Sequence, residues 1–223
     1  MCIRDIPLPP YTKKMELWNA ITHGLGVLFI LVFGPMAIVK ACESTDWLGI
    51  LATVICVLFF LVLYLGSTLY HALPQGNAKR VFRVLDHNNI FLQVMGSYAP
   101  FCLIALRHPA DGFPWGWVIF GLVWGLSILG IIFNSINIYK YRVLSMIIYV
   151  AMGSVVLVAF YPLNQAIGFN GVLMTLSSGI LYWIGAVLYG VAKKKTHWIH
   201  TVFHVFVLGG SILMFLSIYL FVL

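Results

Sequence analysis

The chain of 223 residues is 62% hydrophobic and only 9% charged, against about 25% charged in an ordinary soluble domain, which excludes a water-soluble globular fold. Each crossing of a hydrocarbon core about 30 Å thick takes roughly 20 apolar residues, so this length holds at most about eight or nine spans and leaves almost nothing for a soluble domain. The net charge of +7 is read first as a topology signal, because basic residues of a membrane chain collect on one side.

In chain order, residues 1–17 form a short tail with Arg4, Lys13 and Lys14. The apolar run behind it outlasts a signal-peptide core and lacks a small-residue cleavage site, so it is expected to remain as the first helix of a single domain over 18–223. Hydropathy predicts seven transmembrane helices at about 18–40, 47–72, 87–106, 115–136, 143–161, 172–191 and 199–221. The separators, Glu43 to Asp46, Pro74 to Arg83, His108 to Pro114, Lys140 to Arg142, Pro162 to Asn170 and Lys193 to Lys195, carry turn and charge signals. Backbone groups cannot stay unpaired in lipid, so runs this long must be helical. Pro35 and Pro100 predict kinks, Gly121 and Gly125 a close helix contact, and Trp18, Trp47, Trp115, Trp117 and Trp198 interfacial anchors at span ends.

Placing the amino terminus and every second loop on one side collects Arg4, Lys13, Lys14, Lys79, Arg80, Arg83, Lys140, Arg142, Lys193, Lys194 and Lys195 there, and leaves Lys40 and Arg107 for the other. The expected fold is therefore an all-α, multi-pass protein of the cytoplasmic membrane, with its amino terminus inside and its carboxyl terminus outside. This bias accounts for the basic charge with no nucleic acid as partner and leaves contact with anionic lipid head groups open. Cys2, Cys42, Cys56 and Cys102 form no C-x-x-C pair, hence no disulfide framework and no thiolate zinc cluster. Cys42 and Cys102 both fall near the outer face, with pairing between them left open.

Ionisable groups inside spans cost at least a few kcal/mol near the centre and usually mark function. Here His71 ends the second span, Asp86 opens the third, and His200 and His204 lie in the first turns of the seventh, all at the cytoplasmic side. The i, i+4 spacing of His200 and His204 puts both imidazoles on one helix face, close enough to share an ion. His71 adds a third nitrogen at matching depth, and three protein ligands with an open fourth position is the pattern of a catalytic zinc site. Ser67, one turn before His71, and Asp86 are candidates to hold the reactive water or orient a ligand. Plainer roles stand beside these: single membrane histidines often serve as interfacial or helix-pairing residues, Asp86 suits an N-cap of the third helix, and Ser67 can bond back to its own helix. His23 lies at similar depth, but no spacing ties it to the ion. His87, His108 and His197 are expected to be solvated or interfacial.

Ser67-x-x-x-His71, Asp86 in Leu85-Asp86-His87-Asn88-Asn89-Ile90, Met95-Gly96-Ser97-Tyr98-Ala99-Pro100 and His200-x-x-x-His204 resemble the progestin and adiponectin receptor family. The stretch Asn19-Ala20-Ile21-Thr22-His23-Gly24 and the short tail make the bacterial haemolysin III branch the nearer match. The resemblance covers nearly the whole chain. It implies seven helices, an inside amino terminus, and a zinc ion on His71, His200 and His204 with a water completing the shell. Adiponectin receptors are linked to ceramide hydrolysis and alkaline ceramidases share a similar site, so the resemblance also implies that Asp86 and Ser67 flank the reactive water. The chain departs from adiponectin receptors in its short tail and short outer loops, so no hormone-receptor role is expected.

Three functions follow as expectations. The first is zinc-dependent hydrolysis of a lipid amide or ester, on a sphingolipid-like or other membrane lipid, with Asp86 taking the proton and membrane lipid homeostasis as the outcome. The second is a sensor or receptor-like protein in which zinc is structural and pins the second and seventh helices. The third, a channel or cytolysin, lacks the ring of charges that would line a wide pore.

Overall fold

The computed structural model describes residues 2–192 and 198–223, and within them the chain is all helical, without a strand. After a short 3-10 turn at Ile3–Asp5 come α1 (Lys13–Ser44), α2 (Trp47–Ala72), α3 (Asn77–Pro100), α4 (Trp115–Asn137), α5 (Arg142–Val158), α6 (Phe160–Ala192) and α7 (Trp198–Ser217). Five of these, α1, α2, α4, α6 and α7, are long and apolar enough to cross a membrane. The third carries Lys79, Arg80, Arg83 and Asp86, which lower its hydropathy, and the fifth has only 17 residues. The protein is a multi-pass membrane protein. Leu28, Leu58, Leu122, Ile147, Val187 and Val205 are exposed around the outside, and so broad an apolar exterior is stable only against lipid.

Helices adjacent in sequence pack side by side, and α7 returns against α1, closing a ring. Phe60, Tyr64, Phe91, Met152 and Phe215 fill its interior. Local chemistry sets the helix starts: Thr12 Oγ1 accepts the amide of Met15 to cap α1, and Asp46 accepts the amide of Gly49 to cap α2. At Gly66 a Cβ would lie 2.3 Å from Asn89 Nδ2. That close approach lets Asn89 donate to the Val62 carbonyl at 3.0 Å and bind α3 to α2.

Several expectations need correction. The third helix begins at Asn77, ten residues before the predicted span, because its first turns are a polar, basic helix that hydropathy passes over. Pro162 to Asn170 is not a loop: α6 starts at Phe160, placing Pro162 in a first turn where its missing N–H costs nothing. The helix breaks only at Gly168 (φ 71°, ψ 167°), a conformation that favours glycine. Pro100 is the last α-helical residue of α3, and a wider π turn follows at Phe101–Ala105. Pro35 sits inside the continuous α1. Gly121 and Gly125 meet no neighbour within 4 Å, and the close contact of α4 with α3 falls instead at Gly130, over the Phe91 ring. Cys42 is exposed, Cys102 buried, and both are free. The Lys193 to Lys195 separator and His197 lie outside the described residues.

Candidate metal centre

Three histidines meet at the end of the ring where α1 and α7 begin and α2 ends. His71 is the penultimate residue of α2, and His200 and His204 stand one turn apart on α7. All three are buried, and one ring nitrogen of each lies within 4.8 Å of the others. The Nε2 atoms of His200 and His204 are 3.2 Å apart. Nε2 of His71 is buried without a hydrogen-bond partner, an arrangement that costs free energy unless something else takes its lone pair. This set could hold a metal ion.

Residues beyond the triad fix its rings. Glu16, in the first turn of α1, lies 2.6 Å from Nδ1 of His71 through Oε2. A carboxylate only accepts, so Nδ1 carries the proton and Nε2 is left as the free lone pair. The other Glu16 oxygen lies 2.8 Å from Nζ of Lys79, a lysine only 2% exposed. Lys79 also donates to the Leu73 carbonyl at 2.9 Å and to the His71 carbonyl at 3.5 Å, so its buried charge is balanced and α3 is tied to the end of α2. Asn19 joins the remaining pair of helices: its side-chain oxygen accepts from Thr201 at 2.6 Å, and its carbonyl faces Nδ1 of His204 at 3.3 Å. Donation from that Nδ1 turns the His204 Nε2 lone pair toward its neighbours.

His23 lies flat on His204, with ring centroids 3.7 Å apart and planes at 15°. Both of its nitrogens are buried without hydrogen-bond partners. The tail covers the cluster from outside. Tyr11 stacks on His200 at 5.3 Å and 16°, and its centroid is 6.0 Å from that of His71. Burial, and next the nearby Tyr189, raise the Tyr11 phenol pKa, so it stays neutral. Behind Tyr11, Arg80 donates to the Ile6 carbonyl at 3.0 Å, and Arg83 and the Tyr139 hydroxyl both donate to that of Pro7.

Ser67 is fully buried one turn before His71, and its Oγ has no hydrogen-bond partner; it does not bond back to its own helix. Asp86 sits two and a half turns into α3, which rules out the N-cap role. It is half-buried on the wall of a cavity of about 180 Å³ that His23, His200 and His204 also line. From there the cavity runs between the helices past Tyr98 and Phe101 to Leu106, along mostly apolar walls; the Asp86 to Tyr98 part alone is roughly 18 Å long at 1.5 Å per residue. His87, expected to be solvated or interfacial, is partly buried: its Nδ1 donates to the Arg83 carbonyl at 2.8 Å and its Nε2 lies 3.1 Å from the Tyr189 hydroxyl.

A helical bundle in lipid with a buried three-histidine cluster at one end defines a membrane protein with a candidate metal centre. The chain belongs to the haemolysin-III-related family, whose model matches residues 11–215. It is 34% identical over 210 residues to the Hemolysin-3 of Bacillus cereus, covering 94% of this chain and 93% of that protein. To a Hemolysin-3 homolog of Bacillus subtilis strain 168 it is 33% identical over 208 residues, covering 93% and 94%. No solved structure matches the chain.

Proposed function

We propose that His71, His200 and His204 hold one zinc ion and that the protein hydrolyses an amide or ester bond of a membrane lipid, serving membrane lipid homeostasis. In this reading all seven helices cross the cytoplasmic membrane, with the amino terminus inside. The ring closure of α7 on α1 supports counting α3 and α5 as spans, and the basic bias of the loops supports the orientation.

The donor set fits the ion. A tetrahedral zinc bound at about 2.0–2.1 Å separates its ligand nitrogens by roughly 3.3 Å, close to the 3.2 Å between the Nε2 atoms of His200 and His204. The orphaned Nε2 of His71 supplies the third donor. When bound, zinc supplies a Lewis acid and water activation near neutral pH. The chain does the rest. Glu16 and Asn19 keep two of the rings in the tautomer that presents Nε2. Asp86, facing the shared cavity, accepts a proton, Ser67 orients a polar atom beside His71, and the apolar walls take a hydrocarbon chain and exclude bulk water.

The observation that carries the reading is one cavity lined by both the α7 histidines and Asp86 and continuing as an acyl-chain-like tunnel. Purified Asp86→Asn is expected to keep its zinc and to stop releasing fatty acid from fluorescent lipid amides and esters. Should wild type release no fatty acid from any such lipid, the hydrolase reading fails. The second reading, a sensor with structural zinc pinning α2 to α7, would then stand; the cover of Tyr11 over the ligands favours it.

A further inference from the structure

Beside the main cavity, at the same end of the ring, lies a second pocket of about 30 Å³ between α3, α4, α5 and α6. A single water needs about 10–15 Å³ of such space, so the pocket has room for the few oxygens of one small anion. Arg83 and Arg142 line it. The first is 8% exposed; one of its terminal nitrogens donates to Pro7, its guanidinium lies over the Tyr139 ring at 5.1 Å, and its Nε is buried without a partner. The second is the opening residue of α5, a 17-residue helix without a side-chain cap, so unbonded amides and the positive end of the helix dipole stand beside its guanidinium.

Among the described residues neither arginine forms an ion pair: the pairs are His71–Glu16, Lys79–Glu16 and Arg107–Asp46. Asp86, one turn from Arg83, lies on the wall of the main cavity and pairs with neither arginine. The two hollows adjoin: His87, Met146, Tyr149 and Tyr189 line both. A cationic pocket opening beside an apolar tunnel matches the two halves of an anionic amphiphile.

We propose that this pocket is a binding site for a phosphoryl group, held by Arg83, Arg142 and the start of α5. Planar guanidinium groups suit phosphate oxygens because they offer paired N–H donors. The group can come from a lipid head, with its chain in the adjoining tunnel, or from a free anion. The inference concerns binding and needs no turnover, so its failure is separate from failure of the zinc hydrolase reading.

The test uses the full chain in a maltoside detergent and phosphate-free buffer, with dissociation constants measured for dioctanoyl phosphatidic acid, inorganic phosphate and dioctanoylglycerol. Saturable binding of the phosphatidic acid and none of dioctanoylglycerol is expected. Arg142→Gln, a change at an exposed position, should bind about tenfold more weakly, as loss of one charge-assisted contact gives. Lys140→Gln, a neighbouring exposed charge outside the pocket, should bind as wild type does. Phosphatidic acid binding at least tenfold tighter than inorganic phosphate identifies a lipid head as the source; equal affinities identify a free anion. The proposal is overturned if neither ligand saturates, if Arg142→Gln and Arg83→Gln both bind like wild type, or if Lys140→Gln weakens binding as much as Arg142→Gln.

Discussion

Glu16 on α1 accepts a hydrogen bond from Nδ1 of His71 on α2 at 2.6 Å, which aims the opposite nitrogen of that ring into the candidate metal centre. A carboxylate behind a ligand histidine raises its basicity and fixes its orientation, and loss of such a partner costs about 10–100-fold in metal affinity. Glu16→Gln is therefore expected to weaken zinc binding by about that factor in competition with a chelator. Unchanged affinity would remove Glu16 from the site.

His23 presents the opposite case. It stacks on His204 but offers no nitrogen to the cluster, and both of its nitrogens are orphaned in the interior. His23→Phe keeps a flat ring there and deletes two buried polar atoms, each of which costs about 1–3 kcal/mol when unpaired. This variant is expected to keep its metal and to unfold at an equal or higher temperature than wild type. Loss of the metal would make His23 a ligand.

Backbone conformation gives a matched pair of substitutions. Gly168 adopts φ 71° and ψ 167°, a region almost closed to residues with a Cβ, where the strain is about 1–3 kcal/mol, so Gly168→Ala should lower the unfolding temperature. Gly121 is mid-helix with open space around it, and alanine there gains up to about 1 kcal/mol of helix propensity. Gly121→Ala should be neutral or stabilising in the same thermal scan.

At the opposite end of the ring Asp46 accepts the Gly49 amide and pairs with Arg107. The Gly49 hydrogen bond first, then Arg107, hold its carboxyl below the usual aspartate value. A depressed folded pKa means that the stabilisation is full above the unfolded pKa and is lost as pH falls through the folded one. The difference in unfolding temperature between wild type and Asp46→Asn should thus be constant from neutral pH down to the ordinary aspartate range and vanish below it. A difference that instead grows on acidification contradicts the assignment.

The helices were legible because apolar runs of span length have one stable form in lipid, and α1, α2, α4 and α7 fall close to where hydropathy puts them. The convergence of His71, His200 and His204 was legible from depth and from the i, i+4 pair. The partners of those rings were harder to see. Glu16, Asn19 and His23 follow a three-then-four spacing that puts them on one face of α1, a polar stripe in an apolar helix that was there to be read. Buried Lys79 gave no such signal, since it sits in a basic stretch that hydropathy treats as loop. The start of α3 was hidden for the same reason: a helix whose first turns lie at the water boundary needs no apolar residues there. Gly121 and Gly125 misled because small-residue spacing is necessary for close helix contact without being sufficient.

The account rests on three imidazoles sharing one ion, and metal analysis of purified protein tests this most directly. Wild type should carry about one zinc per chain and His200→Ala/His204→Ala none, with both preparations folded. Full zinc content in the double variant, or none in metal-replete wild type, would contradict it.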